Sequence, residues 1–204
     1  MSKVLNKRNG IIAVLILSIL FPLGFAENRY VLYIMTLAFI YIIAIYGMNI
    51  LAGYTGQLSL AHAGFFAIGA YSVGVLTTKF GLNFWVALLL AVLITMGIGF
   101  ALGIIALRTK EHFFAIYTLI AGYLIYLLIY KWEDLTGGVR GLIGIPIPNS
   151  IGPIEFTSPI SMYYLVLVFL LLSIFVTVRI VQSLTGRTYK AIRNSEELAQ
   201  TRSE

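Results

Sequence analysis

The chain is predicted to be an all-α, polytopic transmembrane helix bundle of about six spans, with both termini inside. Three observations predict this fold class. Of 204 residues, 60% are hydrophobic and 11% charged, against about 45–50% and about 25% in soluble domains. Mean hydropathy is +0.95. The few charges are also segregated, since none falls within residues 10–26, 30–78, 80–107, 113–130 or 156–178. This composition excludes a soluble enzyme, a disordered tail and a collagen-like fibre. The absence of cysteine excludes a disulfide scaffold, a thiolate metal site and a cysteine nucleophile.

A span needs roughly 20 apolar residues, because a helix rises about 1.5 Å per residue and the hydrocarbon core is about 30 Å thick. The first span is read over 11–25, behind Lys3, Lys7 and Arg8. Pro22, Gly24, Phe25 and Ala26 before Glu27 give it the look of a secretory signal. The long apolar stretch after it favours an uncleaved anchor. The gap 30–78 is too long for one helix, and Gly53, Tyr54, Thr55, Gly56 and Gln57 mark a break, so it divides into spans 30–52 and 58–77. Spans 84–107, 113–130 and 160–182 complete the six. The domain division is a transmembrane part over 1–182, read as incomplete, and a cytoplasmic segment over 183–204.

Orientation follows from lysine and arginine, which stay preferentially on the cytoplasmic side. With the N-terminus inside, ten of the fourteen basic residues fall on cytoplasmic segments. Arg29, Lys79, Lys131 and Arg140 fall outside. The net charge of +6 therefore reads as membrane orientation, not as nucleic-acid affinity.

Several chemistries are missing. No glycine is followed directly by lysine, so there is no phosphate-binding G-x-x-x-x-G-K-[ST] loop, and any ATP that drives transport must bind another polypeptide. His62 and His112 stand 50 residues apart, so no metal site and no cofactor are expected. The predicted spans carry no carboxylate, which argues against a proton-coupled carrier and against catalysis.

The most informative stretch runs from Asn49 to Leu76. Glycines permit a break, and Gln57, Ser59 and His62 come just after it. These three are candidate residues of a solute passage, because irregular backbone at membrane depth belongs where it is buried or lines a cavity. The alternative is a plain cytoplasmic turn with His62 bonded inside the bundle. Ala63, Ala67, Ala70 and Gly74 recur at helical spacing after Ser59, and Gly99 and Gly103 form a GxxxG pair. Both are read as helix-packing faces. The loop 131–159 is rich in glycine and proline, giving turns and extended pieces. It is a structured connector or a docking surface. In the tail, Ser183 or Thr185 caps a basic helix that contacts lipid headgroups or a cytoplasmic protein.

Four blocks then carry a resemblance: GYTGQLSLAHAGFFAIGAY (53–71), ALRTKEHFFAIYTL (106–119), LTGGVRGLIGIP (135–146) and GRTYKAIRNSEELA (186–199). In this order they resemble the LivM-type permease of branched-chain amino-acid ABC importers over residues 49–199. The resemblance implies an inner-membrane permease subunit of a prokaryote, working by alternating access. Its implied partners are a second permease subunit in a heterodimer, two cytoplasmic ATPase subunits and an external solute-binding protein. It further implies that Gly186, Arg187, Ala191, Ile192, Arg193 and Glu196 couple to the ATPase. Thr136, Gly137, Gly138, Arg140 and Gly141 would face the binding protein. The chain departs from the family at Tyr123, which follows Gly122 where members often carry an acidic residue. It also ends soon after the fourth block, where family chains continue through further spans, and is therefore expected to be truncated. The alternatives are a permease for urea or short amides and a non-transporting remnant.

Overall fold

The structure is a computed structural model that describes residues 2–106, 108, 111–184, 186 and 189. Helix α1 spans Ser2–Gly24, α2 Arg29–Asn49, α3 His62–Thr78, α4 Phe84–Ala106, α5 Glu111–Lys131, α6 Glu133–Thr136 and α7 Pro159–Gln182. A π-helical turn, Ile50–Thr55, prolongs α2, and a 3₁₀ turn covers Gly138–Arg140. The protein is all-α and polytopic. Among the described residues, four helical stretches are long and apolar enough to cross a membrane: Arg29–Thr55, Phe84–Ala106, Phe113–Lys131 and Pro159–Gln182. The other two expected spans are shorter as described, with Ala13–Gly24 the apolar part of α1 and 17 residues in α3.

The helices fall into two groups. In the first, α2 pairs with α7 and α1 lies against them. Leu32 and Phe39 of α2 meet Tyr163, Leu167 and Leu170 of α7 in a buried cluster, with Phe21 of α1 packed on its edge. The ends of these helices are set by local chemistry. Asn28 accepts from the Val31 amide through its side chain, and Ser158 accepts from the Ser161 amide ahead of a helix that begins at Pro159. Both satisfy backbone donors that the first turn leaves free.

The second group is α3, α4 and α5. Gly64 of α3 and Gly122 of α5 face each other so closely that a Cβ on Gly64 would stand 3.3 Å from the Gly122 Cα and 3.0 Å from Ile125. Missing side chains let two backbones approach, and dispersion then holds them without any hydrophobic drive from water. An open, largely aliphatic cleft of about 910 Å³ separates α2 and α7 from α4 and the outer loop.

The outer loop is stitched over the second group. Asn149 accepts from the Phe84 amide at 2.8 Å through its side chain, and its carbonyl accepts from the Trp85 indole at 2.9 Å. The residues at the start of α4 are thus tied to a segment more than sixty positions away. Leu142 and Ile145 close over Gly74 near the end of α3. As expected, this loop holds only short turns and one isolated bridge between Ile151 and Ile154.

One boundary differs from expectation. Residues 53–55, read as part of a turn, are helical, and the break lies at residues 56–61. The cause is local. Gly53 leaves the room that the Asn49 amide occupies, and the Thr55 hydroxyl donates to the Leu51 carbonyl at 2.6 Å. The helix therefore widens instead of ending. Gly56 then turns the chain with φ of 78°, a conformation that only glycine adopts freely.

Candidate functional site: the broken segment between α2 and α3

Residues 56–61 are not helical, and α5 shows how deep they lie. The Leu60 amide donates to the Thr118 hydroxyl at 3.1 Å. Thr118 lies seven residues into α5, about 10 Å along its axis at about 1.5 Å per residue. A Cβ on Gly122, one turn further, would touch the Ala61 Cα at 3.2 Å and stand 3.4 Å from the Leu60 carbonyl. The 21 residues of α5 span about 30 Å, the thickness of a hydrocarbon core. The break therefore sits well inside that thickness, packed on α5.

The three expected passage residues part company here. Ser59 is only 4% exposed. Gln57 is half-buried. Both line a cavity of about 180 Å³ closed by Leu102, Gly103 and Ala106 of α4 and by Phe114, Tyr117 and Thr118 of α5. His62 lies elsewhere. Its Nε2 is 2.9 Å from the Ala44 carbonyl of α2. A carbonyl only accepts, so that nitrogen carries the hydrogen. The imidazole edge lies against Gly47, where a Cβ would come within 3.1 Å of it. His62 thus ties α3 to α2 at the site of the break.

The expected packing residues are also divided. Gly74 is buried under the outer loop, and Gly99 faces the Phe65 ring. Ala67 is half-buried, while Ala63 and Ala70 are exposed in this chain. At Gly103, expected to meet a neighbouring helix, no described atom lies within 4 Å of the Cβ position, and the residue lines the cavity. Backbones also approach closely at Gly64 and Gly122, a pair that was not among the expected packing residues. A signal for it was present: Thr118 and Gly122 form a small-xxx-small pair on α5.

The outer candidates form one tight turn. The buried Thr136 hydroxyl contacts the Ile129 carbonyl at 2.6 Å and the Trp132 carbonyl at 2.7 Å, and the Gly138 amide lies 3.3 Å from it. Gly137, with φ of 79°, has no room for a Cβ, which would overlap the Gly141 carbonyl. The turn exposes Val139 and Arg140. At the inner end, Gly186 is buried and its amide donates to the Ser183 hydroxyl at 3.4 Å. Arg187, Ala191, Ile192, Arg193 and Glu196 lie outside the described residues. Among the described residues no three of His, Asp and Glu gather as metal ligands.

Comparison with known proteins gives this geometry a family. Residues 30–202 match the family of the branched-chain amino acid transport system permease component. The high-affinity branched-chain amino acid transport system permease protein LivM of Escherichia coli (strain K12) is 33% identical over 209 residues, covering 91% of this chain and 48% of that protein. Its counterpart from Salmonella typhimurium (strain LT2) is 32% identical over the same shares. The chain spans about half the length of these relatives. No solved structure gives a significant match. The chain is a multi-pass membrane protein and belongs to the family of branched-chain amino acid transport system permease components.

Proposed function

We propose that the chain forms part of the passage of an ATP-driven importer of branched-chain amino acids in the inner membrane of a prokaryote. The observation that carries this reading is the family match over residues 30–202. The break at residues 56–61 supports it, since transporters build solute sites where a membrane helix is interrupted near the midplane. The passage works by alternating access, opening to one side at a time as partners bias its two forms. Gln57 and Ser59 line it, and His62 holds the broken segment to α2. ATP is hydrolysed on two separate cytoplasmic subunits, as the family resemblance implies. A second permease subunit completes the membrane part, and an external solute-binding protein delivers the amino acid at the turn that exposes Arg140.

The cytoplasmic segment from residue 183 serves as the coupling element, with Gly186, Arg187, Ala191, Ile192, Arg193 and Glu196 meeting the ATPase. Reconstitution of this chain with its partner subunits in proteoliposomes tests the whole reading. ATP-dependent leucine uptake is expected. Uptake that needs no ATP, or uptake of urea but not leucine, overturns it. Uptake only with a longer version of the chain identifies this one as a remnant. For the coupling element, Arg193→Glu is expected to weaken co-purification with the ATPase, and unchanged co-purification refutes that assignment.

A further inference from the structure

The geometry points to the cavity between residues 57–61, α4 and α5 as the seat of the solute's aliphatic side chain, with Gly103 setting how long that side chain can be. This rests on the permease reading and locates its substrate.

Three features of the cavity support the assignment. Its volume is about 180 Å³, small beside the roughly 300–1,000 Å³ of drug-sized ligand pockets. Its walls are mainly hydrocarbon, from Leu51, Phe65, Leu102 and Phe114, and among the described residues no charged side chain lines it. A solute with net charge would lie there uncompensated, at high cost within a membrane. Its polar groups come from two elements, Gln57 and Ser59 on the broken segment and Tyr117 and Thr118 on α5, and the Thr118 hydroxyl is already engaged by the Leu60 amide and the Ala115 carbonyl. Ser59 is almost wholly buried and lines the cavity, and Gln57 stands two residues before it. A hydroxyl and an amide each donate and accept, so the same pair can meet a carboxylate and an ammonium. The arrangement suits a zwitterion whose alkyl chain points into the cavity and whose head stays at residues 57–59.

Gly103 is where length is decided. No described atom lies within 4 Å of its Cβ position, and it lines the cavity, so an added methyl projects into free space instead of into a neighbour. A carbon there takes the room of a carbon of the solute. One methylene in an apolar pocket changes discrimination by about 10–200-fold.

The experiment compares leucine with valine uptake by the assembled importer carrying Gly103→Ala, with Gly97→Ala as control. Gly97 is exposed on the same helix, with open space at its Cβ. Gly103→Ala is expected to lower the leucine-to-valine ratio of kcat/KM by about tenfold or more, and Gly97→Ala to leave it unchanged. A packing defect would lower both rates together, so an unchanged ratio overturns the proposal.

A second measurement needs no transport. The chain has no native cysteine, so Gly103→Cys in the assembled complex offers one thiol in this subunit to a small aqueous thiol reagent. Leucine at about ten times its dissociation constant leaves about one site in eleven open, so labelling should slow about tenfold. Labelling that leucine does not slow, that urea slows equally, or that fails altogether overturns the proposal. Wild-type uptake, measured alongside, shows separately whether the permease reading holds.

Discussion

The Tyr163 hydroxyl donates a 2.8 Å hydrogen bond to the carbonyl of Ser18, which stands four residues before Pro22. Proline has no amide hydrogen, so inside a helix it leaves the carbonyl of residue i−4 without its usual partner. In a membrane no water is at hand to replace it, and a neighbouring helix must. Helix α7 does so with a wholly buried tyrosine, whose ring also lies 6.1 Å from that of Phe21 and 5.2 Å from that of Phe39. Tyr164 repeats the contact on the next carbonyl, Ile19, at 2.9 Å.

Tyr163→Phe is therefore expected to destabilise the detergent-solubilised protein by about 0.6–1.7 kcal/mol, the span of hydrogen bonds measured inside membranes. In a Pro22→Ala background the new amide can take the Ser18 carbonyl, and the same change should cost less than half as much. A double-mutant cycle by denaturant titration reads the difference. Equal costs in the two backgrounds would sever the tyrosine from the proline.

Thr118→Val removes the acceptor that holds the Leu60 amide. One buried donor is then left alone, at a cost of about 1–3 kcal/mol. The loss should concentrate at the break: amide exchange at Leu60 should quicken while exchange in the middle of α7 is unchanged. Thr118→Ser, which keeps the hydroxyl, should restore protection.

Gly64→Leu sets a side chain against Ile125 and the backbone of Gly122, at distances already closed to a single carbon. Overpacking of about 1–3 kcal/mol or more is expected, with a lower Tm. Gly97→Ala, on an open face, should raise stability by up to about 1 kcal/mol through helix propensity alone. The two glycines test contact against composition, and equal effects would contradict the α3–α5 approach.

In the outer turn, Gly137→Ala forces a side chain into a left-handed conformation and onto the Gly141 carbonyl. Strained positions of this kind cost about 1–3 kcal/mol, read as a lower Tm. Arg140→Glu is exposed and should leave Tm unchanged. If the binding protein docks there, Arg140→Glu lowers uptake at limiting binding protein and recovers at excess. Uptake that is insensitive at every concentration removes Arg140 from that surface.

The apolar runs made the helices legible, because the pattern of charges needs no tertiary knowledge. The break was legible as a fact and misplaced by a few residues. Gly53 reads as a breaker in sequence, yet its missing side chain is what admits the Asn49 amide and lets the helix continue to Thr55. Packing was less legible. Small residues lie on several faces of α3, and their spacing alone does not select Gly64, half a turn or less from Ala63 and Ala67, as the one that meets α5. The tie from Asn149 to Phe84 and Trp85 joins segments with no local signal of each other. Gln57 and Ser59 stand out in the sequence by residue type and position, whereas Thr118, Leu102 and Phe114 look like ordinary span residues until the cavity groups them.

The π-helical turn at Ile50–Thr55 also decides direction. Such a turn is the trace of a one-residue insertion in an α-helix, and each residue rotates the chain beyond it by about 100°. Gly56 and the row of polar groups after it are thus aimed by a matter of register. Deleting one residue from this turn would return it to α-helix and swing residues 57–61 about a quarter-turn away from Thr118. Shortening the chain by a single peptide unit would thus redirect a path while leaving every side chain of the cavity in the sequence.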